Sequence, residues 1–526
     1  MRKFSKLLEE IIFTPSRNKK IEILVDYLKT TSDPCRGFTL ALISSNLKFK
    51  IIKTSELKEI IKSLVDPILF DLSYDYVGDL AETISLIWPN QVKGKTSELN
   101  FFVEFIENNK KNKIIDFLIS QLNIASSTER WAIIKLFTGG YRIGLSEKIV
   151  KIALSKYGNK ELEEIEKIWH GLKIPYIELF DWLDNKSTKP SIDYLKTFHP
   201  LMLSHPINEI TDFKKLIPED FSAEWKWDGV RVQIIISDND TTIFSRNGEN
   251  ITQSFPELKF KSKYEVVLDG ELLVGKNFKP MSFSDLQKRL NRKKVSKKYL
   301  QDFPAFVKLY DILFLNSFDL RNLEFNLRRQ KLEKWYYENN QESLALSEEI
   351  FFKSWIDLKK LRNINLTKSN IYEGVMLKRK DSLYYSGRPK GMWFKWKRNP
   401  RYIDTVLMYA QRGHGKRSSF YSDFTFGIWD NENKLVPIGK AYSGFSNKEL
   451  NKIDKFVRSN TIQKFGPVRE VKKKLVFEVA FDSISKSPRH KSGLSLRFPR
   501  ISKIRWDKPI NEIETLALVK STYNID

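Results

Sequence analysis

Cysteine is nearly absent from the 526 residues: Cys35 stands alone, which excludes an intrachain disulfide or a cysteine-built zinc site and fits a reducing compartment. No apolar run approaches the ~18–20 residues that a membrane span needs. The opening stretch, MRKFSKLLEEIIF, starts basic, but Glu9 and Glu10 break its apolar part, so it does not read as a signal peptide. Internal repeats are lacking too. Acidic residues are scarce beside basic ones: 65 Asp and Glu against 90 Lys and Arg leave a net charge of +25. A surplus of that size favours a polyanionic partner, most commonly nucleic acid, although abundant Lys, Ile and Asn also fit a coding bias. Core-forming residues are plentiful, at 41% hydrophobic and 13% aromatic, enough for two or three packed domains. The expectation is a soluble cytoplasmic protein with no membrane partner.

The texture of the chain changes twice. Up to about Asp184 it predicts helices. Ser126 and Glu129 form a capping-box pattern ahead of WAIIKLF, which begins at Trp131. Leu162, Ile165, Ile168, Trp169 and Leu172 follow helical spacing, with Gly171 near the end, and Leu57, Ile60, Ile61 and Leu64 repeat the pattern earlier. Lysines stud the other faces, as a phosphate grip or as an ordinary solvated surface. The polar stretch DNKSTKPS from Asp184 reads as a linker. From about Phe221, strand-like runs follow: VRVQIIIS, TTIFSR, YEVVLDGELLV, AFVKLYDILFL and IYEGVMLKRK. Asn247–Gly248 and Asp269–Gly270 are expected to separate or end them, with a helix inserted around Phe283–Leu290. Beyond Asn399–Pro400 a further strand-rich region of roughly 120 residues suits a small barrel. The run KRLNRKKVSKK, Lys288 to Lys298, is either a solvated face or a phosphate contact. Neither Cys35 nor His414 acquires a role.

The chemistry concentrates in EWKWDGVR, Glu224 to Arg231. An apolar strand follows directly, so Lys226 is expected at a strand edge or turn facing a cleft. Tryptophans flank it on both sides, and burial with neighbouring cations would favour the neutral, nucleophilic amine. The bland alternative is a lysine stem lying on aromatic surface with its head in water. Asp228 and Gly229 look structural, the glycine permitting a tight backbone.

This motif resembles the first signature of the covalent nucleotidyltransferases, the superfamily of DNA ligases, RNA ligases and mRNA capping enzymes. Further signatures follow in order: SRNGE (Ser245 to Glu249), VVLDGELL (Val266 to Leu273), KLYDILFLN (Lys308 to Asn316), YEGVMLKR (Tyr372 to Arg379), WFKWKR (Trp393 to Arg398) and LRFPR (Leu496 to Arg500). The resemblance implies that Lys226 carries AMP covalently. It implies that Lys395 and Lys397 reach the α-phosphate, where attack crowds negative charge. Glu271 and Glu373 would line the cleft, with hard oxygens suited to Mg²⁺, or Mn²⁺ in its place. Tyr310 would stack on adenine and Glu224 would accept from its exocyclic amine. Arg231 and Arg246 would engage the ribose and later the 5′-phosphate, while Arg497 and Arg500 would orient pyrophosphate. Arg388, a step further from the WFKWK strand than is common and followed by Pro389, is the nearest candidate for the family's remaining arginine.

Within the helical N-terminal part, YVGDLAETISLIWP (Tyr76 to Pro89) and TGGYRIGLSE (Thr138 to Glu147) resemble the DNA-binding domain of ATP-dependent DNA ligases. HPLMLSHPI (His199 to Ile207) resembles the junction to the catalytic core, and AQRGHGKRSSFYSDFTFGIWD with IGKAYSGFSNKEL resembles the ligase OB-fold. The chain is thereby identified as resembling three-domain bacterial ligases with an N-terminal DNA-binding domain. The implied multidomain fold is an all-α domain (1–198), an α+β nucleotidyltransferase or adenylation domain (199–400) and a C-terminal all-β OB-fold (401–526). An NAD⁺-dependent ligase is disfavoured, since its four-cysteine zinc module cannot be built from one cysteine. The implied reaction seals 3′-hydroxyl/5′-phosphate nicks in duplex DNA through lysyl-AMP, for repair, replication or recombination. A monomer encircling nicked DNA, hinged at Asn399–Asp404, completes the picture. The rivals are an RNA-joining or capping enzyme and a catalytically silent DNA clamp.

Overall fold

The computed structural model describes residues 1–526 apart from 90–93, 142, 239, 291, 293, 317, 340, 369–370, 414–419, 467, 489, 524 and 526. His414, Arg142 of the TGGYRIGLSE stretch and two positions of the basic run therefore lie outside the described residues, as does the side chain of Tyr76. By internal contacts the chain forms two units. One comprises Met1–Ile165, Lys173–Pro190 and Pro400–Asp526; the other comprises Glu166–Leu172 and Ser191–Asn399.

Between Arg2 and Leu183 the described elements are helices, of which the turn at Glu166–Leu172 falls in the second unit. The capping box forms as the sequence predicts: Glu129 N donates to Ser126 Oγ, and Ser126 N donates to the Glu129 carboxylate. Two orphan amides are thereby satisfied at the start of helix Ser127–Thr138, whose Ile133, Ile134, Leu136 and Phe137 are buried. The predicted linker is tethered at its first residue. Asp184 accepts from Arg36 Nη2 at 2.9 Å and from the Tyr157 hydroxyl at 2.5 Å. Cys35 opens helix Cys35–Ile43, with Sγ 3.4 Å from Asn100 Oδ1.

The second unit contains two sheets. Seven strands matter for the site: β1 (Phe221–Trp227), β2 (Val230–Ser237), β3 (Asp240–Ser245), β4 (Val266–Lys276), β5 (Ala305–Leu315), β6 (Tyr372–Arg379) and β7 (Trp393–Lys397). The larger sheet runs β3-β2-β4-β5, all antiparallel. The smaller runs β7-β6-β1, with His205–Pro206 added in parallel beyond β7. Val232, Ile234, Leu268, Leu272, Val307 and Leu309 build one core of the larger sheet. Phe221, Ala223, Val375, Leu377, Phe394 and Trp396 cover one face of the smaller sheet, with Trp355 from helix Trp355–Lys368 packed on them.

Two sequence expectations change here. Asp269–Gly270 does not end a strand but lies inside β4. A Cβ on Gly270 would stand 2.7 Å from Val307 Cγ1 and 2.8 Å from the Lys308 carbonyl oxygen, so the glycine permits close strand packing. The basic run is not one uniform surface either. Arg289 is fully buried, donating to Glu257 and to the carbonyls of Ser254 and Phe303, and Arg292 lies 4.0 Å over the Tyr299 ring.

The C-terminal part of the first unit is strand-rich. Its strand order is Leu435–Ala441, Tyr421–Trp429, Arg401–Arg412, Val468–Val471, Thr461–Phe465. Val476–Phe481 pairs with both Arg401–Arg412 and Arg500–Arg505, which curls the sheet on itself. One capped helix, Asn447–Asn460, buries Leu450, Ile453 and Val457 against it.

Candidate active site

Register on the smaller sheet decides which side chains meet. Gly374 of β6 lies opposite Lys226 of β1 and Lys397 of β7, and Met376 lies opposite Glu224 and Lys395. Lys378 lies opposite Ser222 and Trp393. Facing residues in a sheet share a side, and side chains alternate along each strand. One face therefore gathers Glu224, Lys226, Lys378, Lys395 and Lys397. Trp225 and Trp227 fall on the other, where both pack on Tyr372 at ring distances of 4.6 and 5.0 Å. The sequence expectation of an apolar pocket made by these tryptophans around Lys226 is thus corrected; alternation turns them away.

A bulge completes the arrangement. Register slips between Tyr372 and Gly374, leaving Glu373 as the extra residue. Gly374 has φ +151°, and a Cβ there would sit 2.1 Å from the Trp396 carbonyl oxygen. The bulge aims Glu373 at the lysine: its Oε2 is 2.7 Å from Lys226 Nζ and 3.9 Å from Lys397 Nζ. The Lys226 and Glu373 side chains are 22% and 18% exposed, so the pair is half-buried.

The larger sheet brings further charged and aromatic groups against this face: Lys378 lies over the Tyr310 ring, and Lys226 and Glu373 act on Glu271. Arg231 on β2 donates from Nε and Nη2 to the buried Asp269, and from Nη1 to the Met202 carbonyl at 2.6 Å. The Tyr384 hydroxyl donates to the same carboxylate at 2.8 Å. Glu271, two residues along β4, faces Arg231 and Lys308 across the ladder. Burial raises the Glu271 carboxyl to about 7; Lys226 opposes the shift and Glu373 adds to it. Between the sheets, Gly229 allows β4 to approach: a Cβ there would meet the Leu272 carbonyl oxygen at 2.5 Å and Glu271 Cγ at 2.8 Å. Tyr310 on β5 has Lys378 Nζ 4.4 Å and the Arg231 guanidinium 5.8 Å from its ring centre. Burial pushes its hydroxyl well above the usual range.

Cations converge on the same place. Burial first, then Arg388, Lys397, Lys226 and Arg246, hold the Lys395 ammonium below its ordinary value. Arg388 and Arg246 are thus among the cations that disfavour the charged form of Lys395, despite the unusual spacing of Arg388 in the sequence. Arg497 and Arg500 belong to the other unit, at the end of Leu494–Arg497 and the start of Arg500–Arg505. Arg500 pairs with Asp482 at 2.9 Å, and the Arg497 guanidinium is 5.4 Å from the ring centre of Phe498.

Sequence reasoning missed Asp269, Tyr384 and Lys378. Asp269 and Lys378 lie inside quoted motifs, but nothing local marks a buried ion pair. Among the described residues no group of three or more His, Cys, Asp or Glu is arranged to hold a metal. The two carboxylates Glu271 and Glu373 form a smaller donor set, of the kind that binds a hard cation when a substrate supplies the remaining oxygens.

Known proteins match along nearly the whole chain. Family models described as DNA ligase N terminus, ATP dependent DNA ligase domain and ATP dependent DNA ligase C terminal region match residues 1–155, 201–397 and 417–508. A probable DNA ligase of Koribacter versatilis is 34% identical, covering 78% of this chain and 74% of its own length. A DNA ligase of Methanococcus maripaludis is 30% identical over 98% of this chain and 90% of its own. Among solved structures, one called Pmar-Lig_PreS3 aligns with a TM-score of 0.60 at 19% identity, covering 95% of this chain and 99% of that one, a likeness of fold.

Proposed function

The chain belongs to the ATP-dependent DNA ligases, and from that premise we propose that it seals nicks in duplex DNA through AMP carried on Lys226. The observation that supports this most is the Lys226–Glu373 contact of 2.7 Å, with Lys397 3.9 Å from the same carboxylate and Lys395 on the same face of the sheet. A phosphorus under attack gathers negative charge, and cations already in place stabilise it without reorganisation.

The amine must be neutral to attack, and the Glu373 carboxylate, 2.7 Å away, can accept its proton. Lys226 Nζ bonds to the α-phosphorus of ATP and the bond to pyrophosphate breaks. AMP then passes to the 5′-phosphate of a nick, and the 3′-hydroxyl displaces it, joining the strand and releasing AMP. Splitting the condensation in this way gives each step an activated phosphate. Tyr310 offers the adenine a flat face, Glu224 its acceptor oxygen, and Arg231, locked by Asp269, a fixed cation for the ribose. Glu271 and Glu373 would hold Mg²⁺, which would neutralise charge on the triphosphate. Arg497 and Arg500 would meet the pyrophosphate as the C-terminal domain moves about Asn399–Asp404. The partner is nicked double-stranded DNA, bound by a monomer.

Incubation with α-³²P-labelled ATP and Mg²⁺ tests the reading: wild type should form an acid-labile labelled adduct and Lys226→Ala none. A nicked duplex should chase the label into sealed strand. Label persisting in Lys226→Ala would mean another nucleophile.

A further inference from the structure

One ammonium that no step above uses sits against both groups assigned to the nucleobase. Lys378 Nζ lies 2.8 Å from Glu224 Oε1 and 3.3 Å from the Tyr310 carbonyl oxygen. It also stands 4.4 Å from the centre of the Tyr310 ring, with Phe325 and Trp393 at 4.8 and 5.1 Å. The Lys378 and Glu224 side chains are 3% and 2% exposed, so this pair is shut away from water while Lys226, two residues along β1, is not. Among the described residues Glu224 Oε2 accepts no side-chain hydrogen bond, which leaves one oxygen of a clamped carboxylate unused.

From this juxtaposition we infer that Lys378 is a positioning residue that sets the choice of nucleobase. The inference rests on the reading of Glu224 and Tyr310 as the adenine site. A carboxylate only accepts hydrogen bonds, so it suits the exocyclic amine of a 6-aminopurine and opposes the carbonyl of a 6-oxopurine. Buried without a counter-charge, that carboxylate would be costly and free to turn. Lys378 supplies the counter-charge, holds Oε1 and thereby fixes where Oε2 points. The same ammonium, lying over the Tyr310 ring, holds the platform beneath the base by a cation–π contact. Edge and face of the base are read by groups that one lysine ties together. Two strand registers produce this: Lys378 is one row from Glu224 on the facing strand, on the same side.

The test measures adenylylation of Lys226 with ATP and with GTP in wild type, Lys378→Met and Lys378→Arg. Lys378→Met keeps the stem and drops the charge. Its ATP:GTP ratio of kcat/KM should fall by about tenfold or more, chiefly through a raised KM for ATP. Lys378→Arg should restore much of the preference. If burying an unpaired Glu224 prevents folding, the pair Glu224→Gln/Lys378→Met carries no charge, and its amide can present a donor or an acceptor. It should form the adduct with either nucleotide at comparable KM. An unchanged ATP:GTP ratio in Lys378→Met, or in the double variant, overturns the inference and leaves the ligase reading intact. A wild type that forms no adduct overturns that reading instead.

Discussion

Glu271→Gln tests the electrostatics of the cleft directly. Glu271 ordinarily titrates near 4.5, and burial, with Glu373 adding to it against Lys226, raises it to about 7 in the folded chain. For an acid, a raised value means that the folded state prefers the protonated form. Below pH 4.5 the carboxyl is neutral in folded and unfolded chains alike and costs nothing. Between 4.5 and 7 the unfolded chain ionises first, so stability falls, and above 7 the whole penalty is present. A move of that size corresponds to about 3 kcal/mol, as an order of magnitude. Glutamine matches the shape and never ionises. The melting temperatures of Glu271→Gln and wild type, without nucleotide and in EDTA, should therefore lie close at pH 4.5. The variant should pull ahead by several degrees by pH 7.5, given about 2–4 °C per kcal/mol for a domain of this size. A gap that stays constant with pH, or one that favours wild type as pH rises, would refute the account of Glu271.

Asp311 and Arg328 are both fully buried and paired at 2.8 Å, so Asp311→Asn should cost about 3–5 kcal/mol in denaturant unfolding; Asp311→Leu/Arg328→Met should recover most of it. Gly374→Ala must fit a Cβ 2.1 Å from the Trp396 carbonyl oxygen, so it should displace Glu373, cutting Lys226 adenylylation by at least about tenfold in the labelling assay. Lys395→Met removes a cation crowded by Arg388, Lys397, Lys226 and Arg246; it should raise the melting temperature of the nucleotide-free protein while slowing adenylylation. Arg289→Met should lower stability and leave the salt dependence of DNA binding unchanged, because Arg289 is spent on Glu257 and two carbonyls.

Much of the site was legible because the chemistry-bearing residues sit in short ordered motifs. The strand position of Lys226, the shared face of Lys395 and Lys397 and the capping box at Ser126 all follow from local spacing. What local spacing could not supply was the third dimension. Asp-Gly ordinarily signals a turn, yet Asp269 is held in mid-strand by Arg231 from the neighbouring strand, and Gly270 by the crowding of Val307. The tryptophans beside Lys226 suggested a pocket, whereas alternation sends them to Tyr372. Glu373 would fall on the wrong side by simple alternation with Gly374; only a bulge aims it, and a bulge shows itself in pairing register. Lys378 reads as one more surface lysine until β1 and β6 are laid side by side.

Only Asp228 and Gly229 join β1 to β2, and so join the two sheets that wall the cleft. That link is tightly packed, since a Cβ on Gly229 would stand 2.5 Å from the Leu272 carbonyl oxygen, whereas the second connection, from Leu346 to Tyr372, is longer and carries a helix. The shorter of the two links thus limits how the sheets can tilt at the β1 end, and the Lys226 amine, two residues before it, would be displaced by any such tilt.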